Sequence, residues 1–167
     1  MPELEEGDLK ITYPSGVSVR KFDGHDHKLT HCMKAVDFIF ELDDRYYFIE
    51  FKDPQNPKSK PKDRDKFITS FLSGKTDREL TLKYRDSFLY EWASGRANKK
   101  IYYYILMAFD KLTEPDLLAR TDELKRILPS GDAAPGVWTK KLVHSCTVFN
   151  IETWNKFFPD YTVSRIT

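Results

Sequence analysis

The sequence predicts a domain of the α/β or α+β class, in which helices flank a mixed β-sheet. Residues 35–53 contain two runs rich in β-branched and aromatic side chains on either side of a polar pair, which indicates a β-hairpin. Residues 63–94 contain helix-forming stretches with an apolar stripe. Residues 99–110 are apolar and aromatic almost throughout, as in a buried strand, and we expect this strand to be parallel and reached by a helical crossover.

The composition is that of one soluble globular domain. The 167 residues suffice for a substantial core, and 40% hydrophobic content excludes a disordered chain. The formal charge of +1 provides no global argument for nucleic-acid binding, which must therefore depend on local basic clusters. Cys32 and Cys146 lack C-x-x-C spacing and are predicted to be reduced thiols. The acidic amino terminus and the lack of a long apolar stretch predict a cytoplasmic protein with no membrane contact.

Two short strands are predicted before the hairpin. They cover residues 9–13 and 17–22 and are separated by the turn residues 14–16. We expect both strands to pair with the hairpin and to extend an antiparallel sheet.

The hairpin has a definite register if its turn lies at Asp43 and Asp44. Opposing positions in an antiparallel hairpin have a constant sum, so Asp37 opposes Glu50. Two carboxylates about 5 Å apart repel by roughly 3 kcal/mol at an effective dielectric of about 20. Lys52 lies two residues beyond Glu50 and therefore on the same face.

Two interpretations of this acidic pair are open. A bound divalent cation would offset the repulsion, since Mg²⁺ is held by one or two carboxylates together with water and substrate phosphate oxygens. Alternatively, Lys52 neutralises the pair as a structural ion cluster, or a longer turn shifts the register by one residue and sends one carboxylate to the other face.

Asp37 on the first strand and Glu50-Phe51-Lys52 on the second resemble the PD-(D/E)XK motif of the restriction-endonuclease-like nuclease superfamily. In that family an acidic residue on one strand and an E-x-K on the next form the active site. The resemblance implies a restriction-endonuclease-like mixed sheet within one domain. Its core would cover about residues 9–150, and residues 151–167 would be a C-terminal helix-strand addition.

The resemblance also implies an activity, the metal-dependent hydrolysis of phosphodiester bonds in nucleic acid, with DNA favoured over RNA. Asp37 and Glu50 would hold Mg²⁺, or Mn²⁺ as an alternative, and the main-chain carbonyl of Phe51 would be a further ligand. Lys52 would orient or activate the attacking water. Val36 stands where the family has proline.

Further groups in this sequence are candidates for the same site. An upstream helix of the family often supplies another acid, for which Glu3, Glu5 and Glu6 are the available residues. Some members use a histidine beside the acidic pair, and His31 is the nearest in sequence. Residues 23–31 hold three of the four histidines, which could bind a transition metal or could simply form a polar loop.

Basic residues that could contact a nucleic-acid backbone follow the motif. Phosphate contacts of this kind position a nucleic acid without reading its sequence. The candidates lie in the proline-rich segment after the motif and on the second helix: Lys58, Lys60, Lys62, Arg64, Lys83 and Arg85. A solvated surface loop is the alternative interpretation of the proline-rich segment.

The helices before the buried strand are predicted at residues 63–72 and 77–94. The second has an apolar stripe expected to pack on the sheet, formed by Leu80, Tyr84, Phe88 and Trp92, with Leu89 alongside. The later predicted elements are a helix at 113–128, a strand at 141–150, a short helix at 151–158 and an edge strand at 161–166.

The leading hypothesis is therefore a metal-dependent nuclease with nucleic acid as its partner. The alternative is a catalytically inactive nuclease-fold domain that binds nucleic acid or protein, in which the acids and Lys52 form a structural cluster. A homodimer is left open.

Overall fold

The structure, a computed structural model, describes residues 1–24, 32–130 and 136–166. Its elements in chain order are β1 (Glu3–Glu6), β2 (Leu9–Thr12), β3 (Ser18–Lys21), β4 (Phe38–Glu41), β5 (Arg45–Lys52), α1 (Pro61–Leu72), α2 (Asp77–Ala93), β6 (Lys100–Met107), α3 (Glu114–Ile127), β7 (Ser145–Phe149), α4 (Ile151–Phe157) and β8 (Val163–Arg165). The predicted class, a mixed sheet flanked by helices, is confirmed.

The main sheet has five strands in the order β3-β4-β5-β6-β7. The pairs β3–β4 and β4–β5 are antiparallel, whereas the pairs β5–β6 and β6–β7 are parallel. Helices α1 and α2 connect β5 to β6, and α3 connects β6 to β7. The prediction of a buried parallel strand reached by a helical crossover is therefore confirmed. Such a crossover is the connection that parallel neighbours require.

The predicted hairpin register is also confirmed. Phe38 is paired with Ile49 and Phe40 with Tyr47. The Leu42 N–H donates a hydrogen bond of 2.9 Å to the Arg45 carbonyl, so the turn lies at positions 43 and 44.

The first predicted strand has a different partner from the one expected. Strand β3 pairs with β4 as predicted, but β2 lies between β1 and β8 in a separate three-stranded sheet. Leu9 and Ile11 on β2 are fully buried and pack over an apolar face of the main sheet. The prediction that residues 9–13 extend the hairpin was therefore wrong, because β2 covers a face of the main sheet instead of extending its edge.

Two hydrophobic cores lie on opposite faces of the main sheet. Successive side chains of a strand point to opposite faces, so Phe48 belongs to one core and Ile49 to the other. The first core is covered by α2 and α3, for example through Leu80 and Leu124. The second core is covered by β2, α4 and β8 through four buried side chains: Leu9, Ile11, Trp154 and Val163.

The predicted apolar stripe of α2 is correct only in its first half. Leu80 and Tyr84 are buried, but Leu89 is half exposed and the side chain of Trp92 is 63% exposed. Successive residues on a helix are about 100° apart, so each step of four residues advances about 40° beyond one full turn. Trp92 is thus rotated by about 120° from Leu80, and Glu91 is buried instead.

The later elements are confirmed with small shifts of their ends, and β8 is an edge strand as predicted. Helix α3 begins with a capping box formed by Thr113 and Asp116. No helix among the described residues is both long enough and apolar enough to cross a membrane.

Candidate active site

The hairpin brings Asp37 and Glu50 to one site in the interior. Asp37 is 4% exposed and Glu50 is 0% exposed. The backbone N–H of Phe51 donates a 2.6 Å hydrogen bond to Asp37 Oδ2, which fixes this carboxylate against β5. The Asp37 carbonyl in turn accepts a 2.7 Å hydrogen bond from the Phe22 N–H at the end of β3. Both acids therefore have positions determined by the sheet itself.

Two lysines complete the site. Lys52 Nζ lies 3.1 Å from Glu50 Oε1 and 3.2 Å from Glu79 Oε1 of α2. Lys83 Nζ lies 2.6 Å from Glu50 Oε1 and 3.6 Å from Asp37 Oδ1. Both ammonium groups thus contact the same oxygen of Glu50. Within the described part of the chain, the other oxygen, Glu50 Oε2, is buried without a hydrogen-bond partner.

Burial changes the protonation of these groups. Burial and the neighbouring Glu50 charge raise the pKa of Asp37 to about 8, although Lys83 and the Phe51 N–H oppose this change. Burial also raises the pKa of Glu50 against the opposing effect of Lys52 and Lys83. Burial lowers the pKa of Lys52, but Glu50 and Glu79 more than compensate and the net direction is upward. Lys52 therefore stays protonated at neutral pH.

The donor set fits a hard divalent cation. Two buried carboxylates on adjacent strands are oxygen ligands of the type that Mg²⁺ and Mn²⁺ take in proteins. Glu50 Oε2, which has no partner among the described residues, supports this fit to a cation, because a buried carboxylate oxygen without a partner is unfavourable. Phe51, whose carbonyl is the predicted further ligand, contacts Asp37 through its backbone N–H.

A second group of acids lies next to Asp37. One oxygen atom from each of Glu6, Asp23 and Asp37 lies within 4.8 Å of the others. Of the acids near the terminus, Glu6 is the one placed here, and it comes from a strand instead of a helix. The Lys21 ammonium lies 2.7 Å from Glu6 Oε2. Asp23 was not predicted, since nothing in the local sequence separates it from other loop acids.

The predicted nucleic-acid contacts have different positions. Lys83 lies inside the acidic site, whereas Arg85, about 200° further around α2, is mostly exposed beside Asp86. Arg64 is partly buried, and its Nε donates a 2.8 Å hydrogen bond to the Pro54 carbonyl. It lines a hollow of about 310 Å³ that Lys52 also lines. Three lysines that follow β5 are exposed and are called the loop lysines, although the last of them lies in the first turn of α1: Lys58, Lys60 and Lys62.

The histidine prediction concerns residues that the structure does not describe. His31 and the other residues of the segment 25–31 lie outside the described residues.

Comparison of the chain with protein-family models, with curated proteins and with solved structures finds no match. The interpretation of the site therefore depends on its own geometry and chemistry.

Proposed function

We propose that the protein is a metal-dependent nuclease that hydrolyses phosphodiester bonds of nucleic acid, with DNA as the first substrate to test. The observation that carries the proposal is the buried pair Asp37 and Glu50 on adjacent strands with Lys52 beside it. Burying like charges together is unfavourable unless a cation or a proton compensates them. A functional site is a common reason for such an arrangement.

In this proposal, Asp37, Glu50 and the Phe51 carbonyl would hold Mg²⁺ or Mn²⁺. Such an ion makes a bound water more acidic and stabilises charge that develops on the phosphate. The Phe51 N–H orients the Asp37 carboxylate. Lys52, held between Glu50 and Glu79, orients the water or stabilises negative charge in the transition state.

A second candidate function is a catalytically inactive nuclease-fold domain that binds nucleic acid or protein. Lys83 favours it, because its ammonium contacts both Glu50 and Asp37. Together with Lys52, it would compensate the buried carboxylates as part of a structural ion cluster.

Replacing Lys52 by Ala separates the two functions. A nuclease needs the ammonium more in the transition state than in the ground state. We expect wild type to cut fluorescently labelled DNA in Mg²⁺ or Mn²⁺, and Lys52→Ala to lose this activity by 100-fold or more, an estimate on the order of that for losing one electrostatic group. The melting temperature in excess Mg²⁺ should stay near that of wild type.

The matched control is Lys125→Ala, which removes an exposed lysine of α3 and should cut as fast as wild type. Under the structural-cluster interpretation, Lys52→Ala instead loses about 3–5 kcal/mol of stability, because the carboxylates are left uncompensated. That loss, with a wild type that cuts neither DNA nor RNA, would refute the nuclease proposal.

A further inference from the structure

Two hollows lie side by side along α1. One has a volume of about 310 Å³ and the other of about 340 Å³. Asp63 and Phe67 line both hollows, so the two are neighbours that meet at these residues. Together they are called the α1 groove. Lys52 lines the first hollow, and its partner Glu79 lines the second, so the groove passes the candidate catalytic lysine.

The carboxylates of the groove are largely compensated by other residues. Asp53 is held by two hydrogen bonds from Arg165, at 2.9 and 3.0 Å. Glu79 is bound by Lys52 at 3.2 Å. Asp63 is the third acidic residue in the lining.

Three further basic side chains line the same groove, Arg64 in the first hollow and Lys66 and Lys75 in the second. Because Asp53 and Glu79 are already paired, the charge available to a ligand is positive on balance. Such a lining attracts phosphate groups and tracks a nucleic-acid backbone.

Phe67 is the aromatic residue shared by the two hollows. It is partly buried and packs against the first hydrophobic core, which restricts its ring. Aromatic side chains bind nucleic acid by stacking on unpaired bases, whose faces neighbouring bases would cover in a duplex. Hollows of this size lie at the lower end of the range for small-ligand sites, which suits a single nucleotide better than a base pair.

We infer that the α1 groove binds a single nucleic-acid strand, with one base stacked on Phe67 and phosphates against Arg64, Lys66 and Lys75. This inference rests on the proposed nuclease function and deepens it. The substrate is then a single strand, or the unpaired flap or overhang of a duplex, and its backbone passes Lys52.

The test measures binding apart from cleavage. Fluorescence anisotropy in EDTA compares a labelled single-stranded DNA oligonucleotide with the duplex of the same sequence. We expect wild type to bind the single strand at least tenfold more tightly than the duplex. Phe67→Leu keeps an apolar side chain against the core but removes the stacking surface, and should weaken single-strand binding by about tenfold. Phe67→Tyr should bind nearly as wild type.

Leu72→Ala is the matched control. Leu72 is exposed on α1, about 140° around the helix from Phe67, and does not line the hollows. Its replacement should leave binding unchanged. Equal affinity for duplex and single strand, or wild-type binding by a folded Phe67→Leu variant, would overturn the inference.

The two proposals fail in different ways. Cleavage of continuous duplex without any effect of Phe67→Leu would refute the α1 groove but support the nuclease. Preferential single-strand binding that depends on Phe67, without cleavage under any metal condition, would support the groove and refute the nuclease.

Discussion

Asp37 and Glu50 are held by different interactions, although both are buried in one site. Asp37 accepts a hydrogen bond from the Phe51 N–H, so its orientation is set by the backbone. Glu50 has its contacts on Oε1, from Lys52 and Lys83, whereas Oε2 is without a partner among the described residues. The pKa of both carboxyls is raised by burial. A cation would compete with protons for these oxygens.

This competition predicts how stability depends on pH. The pKa of Asp37 is about 8 in the folded protein, against about 3.9 in an unfolded chain. Between these values the folded state binds more protons, so metal-free stability falls as pH rises toward 8. Asp37→Asn keeps an oxygen for the Phe51 N–H and cannot ionise. We expect its melting temperature in EDTA to fall less than that of wild type between pH 5 and pH 9, a range of about four units around the shifted pKa.

Asp122→Asn is the control for this experiment, because Asp122 is exposed on α3. Its pH profile should parallel that of wild type. Excess Mg²⁺ should flatten the wild-type profile and leave the Asp37→Asn profile unchanged. Parallel profiles for wild type and Asp37→Asn in EDTA would show that Asp37 does not titrate in this window.

At the scale of elements, the segment between β5 and α1 is anchored at its start. Asp53 binds Arg165 of β8, and Gln55 accepts a 3.1 Å hydrogen bond from the Asp110 N–H. Arg165 Nη2 also donates a 3.1 Å hydrogen bond to the Ala108 carbonyl. These contacts join the end of β5 to the end of β6 and to β8. The exposed loop lysines therefore come directly after a stretch of chain that these contacts hold in place next to Lys52.

The loop lysines should contribute affinity without sequence preference if they contact phosphates. Removing three such contacts should lower the slope of log affinity against log salt by about 2–3, because each contact releases about 0.7–0.9 counterions. The variant replaces three residues with Ala: Lys58, Lys60 and Lys62. Anisotropy titrations with one oligonucleotide over a range of salt concentrations measure the slope.

A control variant removes the same charge from exposed lysines elsewhere: Lys125, Lys140 and Lys156. It should keep the wild-type slope. If the loop variant also keeps that slope, the loop is solvated surface and does not contact the nucleic acid.

At the scale of the whole molecule, the C-terminal segment packs against the strand that carries the motif. Trp154 of α4 is 1% exposed, and its Nε1 donates a 2.7 Å hydrogen bond to the Tyr161 carbonyl. Its ring lies edge-on to the rings of Phe51 and Tyr104, at centroid distances of 6.1 and 6.3 Å. Phe51 lies between the two motif residues of β5, so this core supports the site from the opposite face of the sheet.

Trp154→Ala should therefore destabilise the whole domain. Removing a buried aromatic side chain costs about 3–5 kcal/mol, because a cavity remains. Equilibrium unfolding in urea, with an unchanged m value, measures the loss. Phe157→Ala, which removes a mostly exposed neighbour on the same helix, should cost less than about 1 kcal/mol.

A Trp154→Ala variant as stable as Phe157→Ala would contradict this expectation, because the buried ring would then contribute no more than the exposed one.

Several features of the fold and site follow from the sequence alone because their causes are local. The alternation of strand residues and the turn at Asp43 and Asp44 determine the hairpin register. That register brings Asp37 opposite Glu50 and puts Lys52 on the same face. The need for a helical crossover before a parallel neighbour determines the direction of β6.

Only the tertiary structure decided which distant segments meet. Residues 9–12 carry the same strand pattern whether they extend a sheet or cover one, and the choice depends on which apolar face requires burial. Glu91 is buried because Arg20 and Arg96 bind it, and neither partner is identifiable from the helix sequence.

The site likewise combines residues whose positions follow from local sequence with residues that only tertiary packing brings together. Lys83 lies one helical turn from Glu79, but its contact with Glu50 depends on how α2 packs against β5. Glu6 and Asp23 reach Asp37 through strand pairings that join distant parts of the chain. The acidic pair is a consequence of hydrogen bonding within one hairpin, whereas its neighbours are set by packing between elements, which short-range sequence patterns do not encode.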